Sequence, residues 1–65
     1  DNGRDMTAFA GKYKGTDTNP AVRGILPELL KTYQVIHLCG RGKVDESLKG
    51  LEGYAQFDGE NHIRF

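Results

Sequence analysis

The sequence predicts a small single domain of the α/β or α+β class, with its elements in the order β-α-β-(α)-β-β. Three observations predict this class. Apolar residues recur at helical spacing from residue 20 to 33, a mostly apolar run of strand length follows at 34–39, and an Asp-Gly turn separates two short runs near the C-terminus. We therefore expect one long helix packed on a small mixed sheet that ends in a C-terminal hairpin.

The first part of the chain predicts an edge strand and then a helix start. Apolar and polar residues alternate between Phe9 and Lys14, which is typical of a strand, so we place an edge strand near residues 6–14. The helix should begin with Asn19 as its N-cap. Pro20 then occupies the first helical position, where the N–H that proline lacks is not needed.

The predicted helix has one apolar face and one interruption. Gly24 and Pro27 break the pattern, and an interior proline costs about 3 kcal/mol unless the helix bends. We expect a bend near residues 23–27 or two short helical pieces. The apolar face should pack against Ile36 and Leu38 of the sheet. Its residues are Val22, Ile25, Leu26, Leu29, Leu30 and Tyr33.

The central strand is predicted at residues 34–39. Both of its faces are largely apolar, which favours burial on two sides and parallel pairing. Asp45 can cap a short helix that runs to about Gly50. The inward side chains of that segment should be Val44, Leu48 and Leu51.

The last third of the chain predicts a hairpin. Residues 53–57 form one strand, Asp58 and Gly59 form the turn, and residues 61–65 return as another strand. The register stays open between a two-residue turn and a bulged turn, because the first leaves the inner face mixed.

Composition and charge limit the classes of function. Nine basic and nine acidic residues give zero formal net charge, so the chain offers no broad attraction for nucleic acid or anionic lipid. No apolar run approaches the roughly 20 residues that span a bilayer, so no membrane insertion is expected. The single cysteine, Cys39, excludes an internal disulfide. With no signal-peptide pattern, it indicates a cytoplasmic protein.

The small size favours association with another chain. A domain of about 60 residues buries only roughly 60% of the surface that it exposes when unfolded, and such scaffolds usually need a disulfide, a metal or a partner. Since the core is thin, the net charge is zero and strand edges are left open, we expect a dimer or an exchange of segments between copies.

The turn after the central strand is the candidate anion- or nucleotide-binding site. Its residues are Gly40, Arg41, Gly42 and Lys43. Glycines there would let the backbone approach an anion, and two cations would face it. Asp45 replaces the third glycine of a G-x-G-x-x-G turn and puts a negative charge near the phosphate position. A plain strand-to-helix turn is therefore favoured, with phosphate binding as the alternative.

Two surface patterns are weaker. Residues 11–16 resemble a nucleotide P-loop but fail its spacing, so a solvated strand edge is favoured. A second set of residues mixes rings and cations, as a single-strand nucleic-acid platform would, but without excess positive charge. We interpret these as ordinary surface residues and expect no nucleic-acid partner. They are Lys12, Tyr13, Lys14, Arg64 and Phe65.

Three potential metal ligands are also present. His37, Cys39 and His62 lack the fourth ligand of a typical zinc site. A packed histidine and an inert buried thiol are favoured over a metal site and over a Cys-His nucleophilic pair. We therefore expect no catalytic residue, no metal and no cofactor.

Three segments between residues 19 and 58 carry a family resemblance: AVRGILPELLKTYQVIHLCGRG at 21–42, DESLK at 45–49 and GYAQF at 53–57. Together they resemble the MurG family of bacterial peptidoglycan glycosyltransferases. The family transfers N-acetylglucosamine from its UDP carrier to the membrane-bound lipid I, with two Rossmann-like domains that flank a cleft. The resemblance therefore implies the early part of the C-terminal Rossmann-like domain.

The chain also departs from the family pattern. The glycine-rich loop of the family, Gly-Gly-Ser-x-Gly-Ala, falls on residues 10–15, where only Gly11 agrees. The donor-binding residues of the family have no counterpart that we can assign, and only residues 40–42 lie near the expected cleft. Residues 1–18 and 59–65 do not resemble the family, so we expect a transferase segment between foreign flanks, joined by recombination or construction.

Three hypotheses about function follow from these patterns. The first is a folded, self-associating module with no catalysis of its own. The second is a residual binder of uridine nucleotide, UDP-sugar or phosphate at residues 40–43. The third and least favoured is a small enzyme with Cys39 as nucleophile.

Overall fold

Strands and helices alternate along the computed structural model, which describes residues 4–60. In chain order the elements are β1 (Asp5–Ala10), β2 (Lys12–Tyr13), β3 (Thr16–Asp17), α1 (Asn19–Gly24), α2 (Leu26–Leu29), β4 (Tyr33–Leu38), a 3-10 helix (Glu46–Leu48) and β5 (Tyr54–Phe57). None of the helices within residues 4–60 has the length and apolar character that a membrane span requires.

Within residues 4–60, the main sheet has three parallel strands in the order β1-β4-β5. Ala8 pairs with Ile36, and Ile36 pairs with Ala55, so the predicted central strand does lie in the middle. Parallel neighbours need a crossover connection. Helices α1 and α2 supply it between β1 and β4, and the 3-10 helix lies in the second connection. The predicted α/β class and the parallel pairing are confirmed.

A short antiparallel hairpin, β2 with β3, follows β1 directly. Its turn residues Lys14 and Gly15 have φ values of 50° and 82°, as a type I′ hairpin turn requires. The single edge strand predicted near residues 6–14 is therefore wrong in its extent. The Gly11 N–H still donates to the Leu38 carbonyl at 2.7 Å, but the chain then turns away into the hairpin.

The predicted long helix is two short helices, with the break at Ile25. The break confirms the bend expected near residues 23–27, where Gly24 lowers helix stability and Pro27 has no N–H to donate. Ile25 has φ −104° and ψ 3° and is 47% exposed, so its predicted place on the apolar face is wrong. Helix α1 starts one residue earlier than predicted, since Asn19 is its first residue rather than its N-cap.

The core lies between the helices and one face of the sheet. Leu26, Val35 and Tyr54 are buried together at its centre. The expectation that the helix packs on Ile36 and Leu38 is wrong. Alternate residues of a strand point to opposite faces, and Val35 takes the helix side. The partly buried residues around this centre are Phe9, Leu29, Leu30, Tyr33 and Leu48.

The segment after the glycine turn is shorter than predicted. Asp45 caps it as expected, because its Oδ1 accepts the Ser47 N–H at 3.0 Å. The helix is a single 3-10 turn that ends at Leu48 and does not reach Gly50. Leu48 packs against the core, whereas Leu51, predicted to point inward, is 38% exposed.

The predicted C-terminal hairpin lies only partly within the described residues. Gly59 has a φ of 98°, and the Glu60 N–H donates to the Asp58 carboxylate at 2.9 Å. The chain therefore turns where a turn was predicted. The return strand at 61–65, and with it the hairpin register, lies outside the described residues and stays a prediction.

Candidate anion-binding groove

A groove opens at the end of the sheet where β1 and β4 finish. Its volume is about 570 Å³, and its two walls are formed by residues 10–19 and 38–43. The carboxyl ends of parallel strands meet at one edge of a sheet, and ligands of α/β proteins bind in the crevice there. The groove therefore occupies the position in which this fold class holds its ligands.

Positive charge predominates in the lining of the groove. Lys12 lies on the first wall, and Arg41 and Lys43 lie on the second. Among the lining residues that the structure describes, Asp17 is the one carboxylate, and it accepts the Asn19 backbone N–H at 2.9 Å. Arg and Lys side chains form strong, charge-assisted hydrogen bonds with phosphate and carboxylate groups. The lining therefore suits an anionic ligand.

The two walls are in direct contact at Gly11. A Cβ at this position would lie 2.5 Å from the Cys39 carbonyl oxygen and 2.7 Å from Asn19 Oδ1, so no larger residue fits without movement. The Gly11 carbonyl also accepts the Thr18 N–H at 3.0 Å, which joins the end of the hairpin to the end of β1. Gly11 thus sets the spacing of the walls.

Asn19 connects the walls through its side chain. Its Nδ2 donates to the Cys39 carbonyl at 3.1 Å, and the residue is only 3% exposed. The Asn19 Oδ1 is buried as well and accepts no hydrogen bond from the described residues. The residue predicted as a helix cap is therefore a link between the start of α1 and the end of β4.

The loop after β4 bends sharply at two glycines. Gly40 and Gly42 have φ values of 99° and 71°, in the left-handed region that glycine adopts without strain. The Lys43 N–H donates to the Gly40 carbonyl at 3.0 Å and closes the turn. Behind the loop, Gln56 of β5 and Arg23 of α1 form hydrogen bonds to its backbone. The loop is thus tied to the body of the fold.

The structure brings the predicted binding residues to this groove. Gly40, Arg41 and Lys43 line it, and Gly42 shapes the turn between them. The Arg41 guanidinium also forms an exposed ion pair with Glu60. The residues predicted from the glycine-basic-glycine pattern therefore lie together on the second wall.

The first wall was not predicted as part of the site. The sequence predicts a solvated strand edge at residues 11–16, and the strand residues there are indeed exposed. Gly11, Lys12 and Asn19 nevertheless line the groove. A signal was present, because a glycine directly after a strand is a common start of a phosphate-binding turn. The alternation of apolar and polar residues through residue 14 hides this signal, because it predicts a strand that continues past Gly11.

His37 is a core histidine, as the favoured interpretation had it. It is fully buried, and its Nδ1 lies 2.7 Å from the Tyr54 hydroxyl. Burial and the neighbouring Arg23 charge lower the pKa of His37, so the ring is neutral near pH 7. A neutral, enclosed imidazole serves packing rather than ligand binding.

Cys39 is a buried free thiol at the second wall. It is 3% exposed, and burial raises the pKa of its thiol. A nucleophilic cysteine needs access and a lowered pKa. Cys39 therefore has the properties of the inert buried thiol that the sequence favoured.

The metal-ligand pattern and the ring-and-cation pattern extend beyond the described residues. Within residues 4–60, no three His, Cys, Asp or Glu side chains are grouped so that they could hold a metal ion. His62, the third member of the predicted trio, lies outside that range. Lys14 Nζ lies 5.3 Å from the centre of the Tyr13 ring. Arg64 and Phe65 lie outside as well, so the combined surface stays a prediction.

The chain is similar to a segment of known glycosyltransferases. Over 53 residues, or 82% of the chain, it is 58% identical to the UDP-N-acetylglucosamine–N-acetylmuramyl-(pentapeptide) pyrophosphoryl-undecaprenol N-acetylglucosamine transferase of Lachnospira eligens. It is 51% identical over 53 residues to an enzyme of Bacillus cereus that has the same name followed by the number 2. It is 48% identical over 58 residues, or 89% of the chain, to the transferase from Clostridium perfringens. The predicted resemblance to the MurG family is confirmed.

The similarity covers a small part of these enzymes. The chain spans 15% of the first two relatives and 16% of the third. No family model and no solved structure matches the chain. A match of 53 residues is longer than the predicted segment 19–58, so it includes residues outside that segment. No match supports a chimeric origin, and the division of the chain into a segment and foreign flanks stays a prediction.

Proposed function

We propose that this chain is a uridine-nucleotide-binding segment of a UDP-N-acetylglucosamine transferase, without catalytic activity of its own. The observation that carries the proposal is the charge of the groove. The groove at the carboxyl ends of two parallel strands is lined by Lys12, Arg41 and Lys43. The phosphate groups of the nucleotide are the anions that this lining would hold.

The relatives supply the ligand class. Their names describe N-acetylglucosamine transferases and include UDP-N-acetylglucosamine. A UDP-sugar carries a diphosphate, which the guanidinium and ammonium groups of Arg41 and the two lysines can bind. The cavity volume of about 570 Å³ falls within the range of about 300–1,000 Å³ that is typical of small-ligand pockets.

The absence of catalysis is proposed from what a transfer reaction requires. Sugar transfer needs donors placed around the developing charge and a site from which water is excluded. The chain spans only 15% of its matched relatives, and its groove is open to solvent. We expect the purified chain to release no UDP from UDP-N-acetylglucosamine. Release above the rate in buffer would contradict this part of the proposal.

An NMR titration with UDP-N-acetylglucosamine tests the binding. We expect the amides of residues 11–15 and 40–44 to shift and to saturate, while uridine, which has no phosphate, shifts none of them. Lys43→Gln should weaken binding. Lys31→Gln is the matched control, because Lys31 pairs with Glu28 on the helix surface and does not line the groove. No amide shift at millimolar ligand would reject the proposal.

We also propose that copies of the chain associate through the sheet face opposite the helices. Met6 and Leu38 are 57% and 43% exposed, and the alternation of β1 and β4 places both on that face. Parallel sheets are normally covered on both faces. A second copy is the proposed occupant, because the zero net charge of the chain leaves no overall repulsion between copies.

Light scattering over a range of concentrations tests this association. We expect the wild-type mass to rise toward that of a dimer and Leu38→Glu to keep the mass of one chain. Ile25→Glu is the matched control, because Ile25 is 47% exposed on the helix side. A wild-type mass of one chain at every concentration would reject self-association without affecting the binding proposal.

A further inference from the structure

Two side chains hold the second wall of the groove from behind. We infer that Gln56 and Arg23 are positioning residues, which fix the loop of residues 40–45 so that Arg41 and Lys43 lie at the groove before an anion binds. Neither positioning residue lines the groove itself. The inference rests on the proposed function, since it concerns how the groove reaches its affinity.

The Gln56 amide pairs with the backbone of Asp45 in both directions. The Asp45 N–H donates to Gln56 Oε1 at 2.8 Å, and Gln56 Nε2 donates to the Asp45 carbonyl at 3.0 Å. One planar amide that makes both bonds fixes the orientation of the loop as well as its position, as a neighbouring strand would. Gln56 is only 8% exposed, so water competes little for these bonds.

Arg23 adds a second attachment to the same loop. Its Nη2 donates to Gln56 Oε1 at 3.0 Å and to the Lys43 carbonyl oxygen. The guanidinium group is planar, with its donors in a fixed fork, so it orients the groups that it contacts. Arg23 of α1 thus reaches the loop directly at Lys43 and, through Gln56, at Asp45.

The loop needs such an attachment because of its glycines. Gly40 and Gly42 give it access to many backbone conformations, and ordering them when the ligand arrives would cost affinity. A loop that is already fixed avoids this cost. Gln56 therefore strengthens binding without adding a charge to the groove. Lys43 acts differently, because its charge attracts the ligand directly and is screened by salt.

The variant Gln56→Met tests the inference, because it removes both hydrogen-bonding atoms and keeps the length of the side chain. UDP affinity is measured at several salt concentrations. We expect affinity to fall about tenfold, with the dependence on salt unchanged. Lys43→Gln should instead reduce the dependence on salt. In the ligand-free variant, the heteronuclear NOE of residues 40–45 should fall.

Gln34→Met is the matched control. Gln34 is also a buried glutamine of the main sheet, at 4% exposure, but its place in β4 puts it on the face opposite Gln56. The control should change the melting temperature without changing UDP affinity or loop order. Arg23→Lys is a second test variant, which keeps the charge and loses the fork, and it serves if Gln56→Met does not fold.

The outcomes separate the inference from the proposed function. If the wild-type chain does not bind UDP, the proposed function fails and the inference falls with it. If the wild type binds and a folded Gln56→Met or Arg23→Lys variant binds equally well, only the inference is overturned. Weaker binding with a reduced dependence on salt would also overturn it, because charge rather than position would then be the cause.

Discussion

The side-chain amide of Asn19 donates a hydrogen bond to the backbone carbonyl of Cys39 at 3.1 Å. Gly11 lies against both residues, because the Cys39 carbonyl and Asn19 Oδ1 occupy the space that a Gly11 side chain would need. Three residues that are distant in sequence thus form one junction where β1 and β4 end. This junction gives the groove its shape before any ligand is present.

The substitution Gly11→Ala should destabilise the chain. Its Cβ would lie 2.5 Å from the Cys39 carbonyl oxygen, and overpacking of this kind costs about 1–3 kcal/mol. Gly24→Ala is the matched control, since a Cβ there meets open space in a helix and should be neutral or stabilise by about 0.5–1 kcal/mol. Urea unfolding measures both variants, and equal midpoints would contradict the packing described at Gly11.

Two neighbouring residues should respond very differently to truncation. Leu26 is 2% exposed at the centre of the core, so Leu26→Ala should lower the free energy of unfolding by about 2–5 kcal/mol. Ile25 is 47% exposed at the helix break, and Ile25→Ala should cost less than about 1 kcal/mol. Thermal unfolding compares them. A larger loss at Ile25 would mean that the helix faces the sheet differently.

Stability should fall on acidification below pH 6.5 because of His37. Burial and Arg23 lower the pKa of His37 in the folded chain, so the unfolded chain binds the proton more readily. The stabilising contribution is complete above the unfolded pKa of about 6.5 and is lost as the pH falls through the folded value. Melting temperatures between pH 7.5 and 5 measure the effect. In His37→Gln the slope in this range should flatten, and an unchanged slope would assign it to another group.

The Asp45 carboxylate should affect stability in a separate, more acidic range. Hydrogen bonds from Ser47 lower the pKa of Asp45 in the folded chain. Its contribution is therefore complete above the unfolded pKa of 3.8 and is lost as the pH falls through the lower folded value. Asp45→Asn should flatten the slope below pH 4 and leave the His37 range unchanged.

Cys39 should react slowly with thiol reagents while the chain is folded. The thiol is buried and its pKa is raised, so near neutral pH it is both enclosed and protonated. The rate of labelling should be well below that of free cysteine and should approach it in urea. Labelling of the folded chain that is faster than that of free cysteine would indicate an activated nucleophile.

The elements of the fold were predictable where a local rule decides the outcome. Pro27 predicts the helix break and Asp45 predicts a helix cap, because each residue acts on the backbone of its own neighbours in sequence. The face on which the helix packs was not predictable in the same way. Ile36 and Val35 are both apolar, so alternation could not show that Val35 faces the helices.

The second wall of the groove was predictable, and the first was not. The turn at Gly40 and Gly42 can be predicted from the sequence, because a glycine-rich turn directly follows a continuous apolar run. The role of Gly11 arises from contacts with Cys39 and Asn19, which only the folded chain brings together. The helix-capping pattern of Asn19 likewise concealed its hydrogen bond to another strand.

The distribution of charge at the groove has a consequence for the entry of a ligand. Among the residues that the structure describes, the groove lining carries three cations and one carboxylate, and one of these cations, Arg41, is already paired with Glu60 at an exposed position. An anion that enters the groove would therefore compete with the Glu60 carboxylate for the Arg41 guanidinium. Because the pair is exposed to solvent and weakly held, this competition costs the incoming anion little.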